Sequence, residues 1–519
     1  MIRFIGAALA AGAALAWGGP VRAAESGCAG LAGLKIEATN LLSATEVPAA
    51  NGLPAYCRVL GYVRPAINFE VRLPAEGWNG KFYMAGCGGF CGTLDADKAG
   101  FFNSITHGLR RGYAVSTMDG GHWGANSTDA RWALSNPVAE MDWGQRAVTE
   151  TARVTKAVIA ARYGRPQERS YFAGCSTGGR MAAMEASRYP ADFDGIIVGA
   201  PALDYTGLVG TFFAHVVQAN TGPDGKPIFP HTKVGLVADA VSKACGDSTG
   251  LVADPRRCDF KPASLRCTGN GDETCLTPAE VGVLERWYAG PKDSRGTQLY
   301  PGGIPVGSEH NWRLWLTGNG RAAPVLPNFA QSFLRYMAFE PDAGPRYTVG
   351  QFDFDRDPAR MADAAAAYNA ATFDPATRSM VPAADLSAFA GRGGKMILWH
   401  GWGDPLVTPQ PTVEYYEALA RAAGGVEAAR GFARLFLVPG MDHCGINAAG
   451  PAIADGGIDP LTALEEWVER GRAPDRLTAT KAGADGKPAW TRPVCAYPQV
   501  ARPTGGDPAT ASGYECAGP

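Results

Sequence analysis

Residues 57 to 205 alternate short apolar runs with segments of helical spacing. Cys57–Val63 and Ile67–Leu73 read as an antiparallel opening pair of strands. Lys81–Ala85 reads as a strand running into the glycine-rich stretch Gly86-Cys87-Gly88-Gly89-Phe90-Cys91-Gly92, and Tyr113–Met118 as another. Beyond it, Val148, Ala152, Thr155, Ile159 and Tyr163 fall on one helical face. Asp142 is placed to cap that helix, and Gly164 and Pro166 to end it. Ser170–Ala173 then reads as a short buried strand, Arg180–Tyr189 as a helix stopped by Pro190, and Gly195–Val198 as the next strand. Such alternation predicts the α/β class, a parallel sheet wrapped by helices.

The pattern breaks between about 206 and 380. Strand alternation is lost, four cysteines fall between 245 and 275, and aromatic residues accumulate from Trp287 to Phe339. Sheet spacing returns with Lys395–Trp399, which leads into His400-Gly401-Trp402-Gly403-Asp404-Pro405. Ala433–Val438 leads into Pro439-Gly440-Met441-Asp442-His443-Cys444, and Leu461–Arg470 has the spacing of a final amphipathic helix. The expected organisation is a core in two parts, 24–205 and 381–519, with a large lid domain, 206–380, inserted between them.

Composition changes this picture in two ways. With 48 basic and 50 acidic residues and no basic block, the chain lacks the charge footprint of a nucleic-acid binder. Residues 1–23 have the pattern of a signal peptide: Arg3, the apolar run Phe4–Ala16, and small residues around Val21-Arg22-Ala23. That run is too short to span a bilayer, which takes ~20 residues, so no membrane span is expected. The mature protein is expected to begin near Ala24 and to be secreted or periplasmic. In an oxidising compartment the 12 cysteines point to disulfides rather than to zinc. Near neighbours suggest Cys28–Cys57, Cys87–Cys91, Cys245–Cys258, Cys267–Cys275 and Cys495–Cys516. Cys175 and Cys444 are left over, either bridged or as two buried free thiols.

Candidate chemistry centres on those two cysteines. Gly174-Cys175-Ser176-Thr177-Gly178 is a G-x-S-x-G run, which between a strand and a helix marks the strained turn presenting a serine nucleophile. A serine hydroxyl needs an adjacent base, itself oriented by a third group. Ser176, Asp404 and His443 occur in the order Ser, acid, His, each after a strand, at the sheet edge where such folds bind ligands. His443 is the one histidine in a loop after the last strand; His400 reads as structural and His122 as organising its own loop. Asp442 is the rival acid, although a residue adjacent in sequence rarely reaches the same imidazole. A 175–444 bridge would hold the Cα atoms of Ser176 and His443 within about 14 Å. Thr177 and the Gly88-Gly89 turn are the expected oxyanion donors, unless that turn merely closes the Cys87–Cys91 loop.

With these residues assembled, the chain resembles the tannase and feruloyl esterase family. The resemblance rests on Gly174–Arg180, on Asp192–Pro201 (DFDGIIVGAP), on Gly401-Trp402-Gly403-Asp404 and on Pro439–Gly445 (PGMDHCG), and it covers nearly the whole mature chain. It implies an α/β-hydrolase fold with a lid, a Ser176–Asp404–His443 triad, a disulfide between the flanking cysteines, and ester substrates with an aromatic acyl group (feruloyl, galloyl or terephthaloyl). One departure concerns metal. The family's calcium loop lies inside a lid disulfide, but the stretch from Cys245 to Cys258 is short and carries only Asp247 and Asp254, whereas Ca²⁺ takes six to eight oxygens. Calcium binding in the lid is therefore expected to be weak or absent, and no other cofactor or metal is expected. Asp353, Asp355 and Asp357 read as helix-capping residues rather than as a metal loop. The leading expectation is a serine esterase acting on a small aromatic ester. The alternatives are a secreted peptidase of the same fold and a non-catalytic binding protein on a hydrolase scaffold.

Overall fold

The computed structural model describes residues 27–100, 102–269, 271–364, 386–447, 453–483 and 485–518. The signal peptide expected over 1–23 lies outside the described residues. Nine strands form one sheet in the order β1-β2-β3-β5-β4-β6-β7-β8-β9. They are β1 (Thr39–Val47), β2 (Tyr56–Val63), β3 (Ile67–Pro74), β4 (Lys81–Ala85), β5 (Ala114–Met118), β6 (Arg169–Cys175), β7 (Gly195–Gly199), β8 (Lys395–Gly401) and β9 (Ala433–Val438). β1, β2, β3 and β5 pair antiparallel, and β5, β4, β6, β7, β8 and β9 run parallel. Parallel strands carry helices on both faces, and β6, β7 and β8 are accordingly buried over almost their full length.

The predicted strands are present at or within a few residues of their expected bounds. β1 was not anticipated. Nor were two small C-terminal hairpins, β10 (Arg476–Ala482) with β11 (Pro488–Cys495) and β12 (Val500–Pro503) with β13 (Tyr514–Ala517). β7 and β8 are direct neighbours in the sheet. The chain between them nevertheless leaves the sheet and, over its described residues, builds helices such as Val234–Cys245, Pro278–Ala289 and Leu326–Tyr336. All six disulfides join the expected partners, Cys175–Cys444 among them.

Asp142 does not cap the helix that follows it. It sits in a wide-turned segment, Asp142–Arg146, continuous with the helix Ala147–Tyr163, and its buried carboxylate pairs with Arg146. The capping oxygen belongs to Asn136, which accepts from the Ala139 N–H of the preceding short helix. Gly164, in the left-handed region, ends the long helix as expected. The helix expected from Arg180 begins at Thr177, directly after the serine.

Candidate active site

Four loops at the C-terminal edge of the parallel strands converge: the glycine turn after β4, the elbow after β6, and the loops after β8 and β9. At the elbow, Ser176 has φ 66° and ψ −125°, a conformation that costs a non-glycine residue roughly 1–3 kcal/mol. The turn closes only because its neighbours are small. A Cβ on Gly174 would collide with Gly178, and one on Gly179 with the Gly199 carbonyl.

Two residues that the sequence reading missed hold this turn. The Asn103 carboxamide clamps the residue before the serine on both sides: Oδ1 accepts the Cys175 N–H at 2.9 Å and Nδ2 donates to the Cys175 carbonyl at 3.0 Å. Arg180, fully buried in the helix behind the serine, lays its guanidinium 4.2 Å from the Trp143 ring centre. It donates to the carbonyls of Trp143 at 3.1 Å and Gly144 at 2.8 Å. Asn103 stands in a stretch without periodicity and left no signal. Arg180 was visible as the last letter of the GCSTGGR run, but its partners were not.

Asp404 and His443, the expected acid and base, lie side by side. His443 Nδ1 lies 2.7 Å from Asp404 Oδ2, with both side chains buried. Asp404 Oδ1 accepts the N–H groups of Leu406 at 3.0 Å and Val407 at 2.9 Å, which fixes the plane of the carboxylate. Burial pushes this carboxyl up; the charges and hydrogen bonds of His443 and His400 outweigh burial and hold it below the usual carboxylate range. His400 bridges Thr412 Oγ1 and the Val407 carbonyl, both at 2.7 Å, and braces the acid loop from within. Beyond the imidazole, the Cys175–Cys444 bridge has a Cα–Cα distance of 6.0 Å, and the Cys444 sulfur lies 3.7 Å from His443 Nε2. Base and elbow are thus fastened together.

Asp442 points elsewhere. Its carboxylate takes the indole N–H of Trp315 at 2.8 Å and the Asn447 N–H at 3.1 Å. Burial first, and then the Asp404 charge, push its carboxyl well above the usual range. The Trp315 ring also stands edge-on to the His443 ring at 5.6 Å, and Asn311 donates to the Gly403 carbonyl at 2.8 Å, so the inserted segment grips both loops. His122 is buried against Trp132, and burial pushes its imidazole down to about 4. Its loop is organised instead by Asp119, which accepts the N–H groups of Gly121 and Asn68.

Thr177 Oγ1 donates to the Gly89 carbonyl at 2.6 Å, so the glycine turn is pinned to the start of the helix that follows Ser176. Gly89 has φ +59° and could not carry a side chain, since a Cβ there would meet Ser127. Gly88 lies beside the Asn103 carboxamide. Gly89, Ser176 and Thr177 together line a pocket whose other walls are apolar, among them Tyr205, Leu208, Phe213, Phe329 and Leu406. Phe329 and Phe213 come from the inserted segment.

The loop from Cys245 to Cys258 is a poor fit to calcium. Asp247 Oδ1 is taken by the N–H and hydroxyl of Thr249, and Asp254 is held by the Arg256 fork at 2.8 and 2.9 Å. Asp353 and Asp357 are likewise engaged by backbone N–H groups and by Arg356 and Arg360. Among the described residues no group of three or more His, Cys, Asp or Glu is placed to hold a metal ion.

A parallel sheet with an elbow, an acid loop and a histidine loop along one edge is the architecture of an α/β-hydrolase. Comparison with known proteins narrows the class. Residues 52–517 match the family model described as tannase and feruloyl esterase. The chain is 36% identical to a mono(2-hydroxyethyl) terephthalate hydrolase of Piscinibacter sakaiensis, over 92% of this chain and 87% of that protein. It is 31% identical to a probable feruloyl esterase of Arthroderma benhamiae, over 88% and 83% of the two chains. Among solved structures, feruloyl esterase B from Aspergillus oryzae superposes with a TM-score of 0.79 at 25% identity, covering 94% of this chain and 99% of the other. The chain belongs to the tannase and feruloyl esterase family and is a carboxylic ester hydrolase.

Proposed function

We propose that this is an exported serine esterase that cleaves esters of aromatic acids through an acyl-enzyme. His443 Nε2 takes the proton of Ser176 as its Oγ attacks the ester carbonyl. Asp404 holds the imidazole by Nδ1 and stabilises its positive charge. The Thr177 N–H, with Gly88 or Gly89, receives the oxyanion. The protonated His443 gives its proton to the departing alcohol, then draws one from water that attacks the acyl-serine and frees the acid.

The observation that carries this reading is the Asp404–His443 contact of 2.7 Å, tied through Cys444 to the residue before Ser176. The aromatic and aliphatic lining of the pocket beside Ser176 supports a flat, apolar acyl group. We take residues 206–380 as the lid that supplies part of this lining. Six disulfides support an extracellular or periplasmic setting, and among the described residues no helix is long and apolar enough to cross a membrane.

The test is hydrolysis of methyl ferulate, methyl gallate, mono(2-hydroxyethyl) terephthalate and p-nitrophenyl acetate by wild type and by Ser176→Ala. One aromatic ester should turn over well above the acetate, and all turnover should vanish in the variant. Activity surviving in Ser176→Ala would reject the nucleophile, and activity on the acetate alone would reject the aromatic acyl group.

A further inference from the structure

A second cavity, of about 450 Å³, shares no lining residue with the pocket at Ser176. Its volume lies within the ~300–1,000 Å³ usual for small-molecule sites. Three parts of the chain enclose it: the disulfide loop from Cys245 to Cys258, the segment 493–503, and Trp402 and Pro439 from the loops after β8 and β9. The bridges Cys245–Cys258 and Cys495–Cys516 brace two of these walls, so a ligand would meet a site that needs little ordering.

The walls are apolar over most of their surface. Pro439, Pro493, Pro498 and Pro503 line the cavity, and proline brings no N–H donor. Trp402 and Tyr497 add aromatic faces, and the Arg256 guanidinium lies over both, at 5.0 and 5.9 Å from their ring centres. The unbalanced charge of the lining is positive. Asp254 is matched by Arg256 and Asp259 by Lys261, while Arg502 is turned to the Gly518 carbonyl, to which it donates from Nε and Nη2. Arg257 lines the cavity, is exposed, and forms no ion pair with any described residue.

Aromatic and proline walls with an exposed guanidinium that has no carboxylate partner among the described residues select a flat anion. We propose that this cavity binds a small aromatic carboxylate, with its ring against Trp402, Tyr497 and the prolines and its carboxylate on Arg257. A guanidinium offers a carboxylate two parallel N–H donors, and the cation of Arg256 favours an adjacent ring face. The inference does not depend on Ser176 being the nucleophile.

Crystals soaked in 4-bromobenzoate locate the ring by the anomalous signal of bromine. Calorimetric titration with benzoate and benzamide measures binding in solution to wild type, Arg257→Glu and Val500→Trp, the last of which fills the cavity. We expect bromine beside Trp402 and Tyr497, benzoate binding weakened at least tenfold in both variants, and no benzamide binding. Arg257→Glu should keep the wild-type circular dichroism and the wild-type rate on p-nitrophenyl acetate. Bromine only at the Ser176 pocket, bromine in the crystal without binding in solution, unchanged affinity in Arg257→Glu, or benzamide binding as tightly as benzoate would each overturn the proposal.

Discussion

Replacing Asn103 by alanine tests how the serine elbow is held. Its carboxamide makes two hydrogen bonds, of 2.9 and 3.0 Å, to the N–H and carbonyl of Cys175, which is fully buried. Stranding a buried backbone group costs ~1–3 kcal/mol. Two such groups give roughly 2–6 kcal/mol, and the lower half of that range applies because Asn103 lies at the margin of burial, 9% exposed, where water can enter the space left behind. The clamp is therefore large enough to hold Ser176 at φ 66° against a strain of roughly 1–3 kcal/mol. Without it the turn relaxes, and the strain must be restored on the way to the transition state. At 1.36 kcal/mol per tenfold in rate, that restoration lowers kcat roughly 5- to 150-fold, with KM within about threefold. The assay is steady-state hydrolysis of a p-nitrophenyl ester beside thermal unfolding. Asn103→Asp is the companion variant: as a carboxylate it still accepts the Cys175 N–H but repels the carbonyl, so its kcat relative to wild type at the same pH should recover as the pH is lowered. A wild-type kcat in Asn103→Ala would refute the argument and leave the glycines and the disulfide as sufficient support.

Three further outcomes follow from the geometry. Asp404→Asn should lower kcat by about 10³- to 10⁴-fold by spoiling the His443 tautomer, whereas Asp442→Asn, which can still accept from Trp315, should lose less than about tenfold; comparable losses would mean the acid is misassigned. Removing the bridge with Cys175→Ala and Cys444→Ala should destabilise the protein by up to roughly 5 kcal/mol in the chain-entropy model, given a separation of 269 residues, and abolish turnover; denaturant unfolding with activity measured in parallel checks both. Burial lifts the Glu309 carboxyl to about 7 although Tyr288 and Gly307 donate to it. The folded protein therefore keeps this proton where the unfolded chain has lost it, and stability falls as pH rises from about 4.5 to about 7, then levels. Glu309→Gln should accordingly raise the unfolding temperature at pH 8 and leave it nearly unchanged at pH 4.5.

Much of this was legible in the chain because strands β4 to β9 are short, apolar and punctuated by glycine and proline, so periodicity locates them within a few residues. The strained turn at Ser176 is written in one pentapeptide, and the order Ser, acid, His singled out Asp404, which the fold sets against His443. Asp442 was harder. Adjacency in sequence argued against it, but only the Trp315 indole shows what it does instead. Asp142 misled because an aspartate ahead of an apolar face looks the same whether it caps a helix or sits buried inside a wide-turned one. The C-terminal hairpins escaped because Arg476–Ala482 has Leu477 as its one large apolar residue and Pro488–Cys495 carries two prolines. Asn103 was beyond reach, since its partner is 72 residues away and is a backbone, which leaves no complementary side chain to notice.

The Cys175–Cys444 bond also sets a timetable. Cys175 ends β6, while Cys444 follows β9 and is made only after the whole inserted segment has been synthesised. Strands β6 and β7 can pair early, but Cys175 cannot be joined to Cys444 until β8 and β9 have docked and an oxidant has reached the thiols. Oxidation thus works as a final assembly check. A chain held where thiols stay reduced carries every residue of the site and lacks the covalent tie between its two halves.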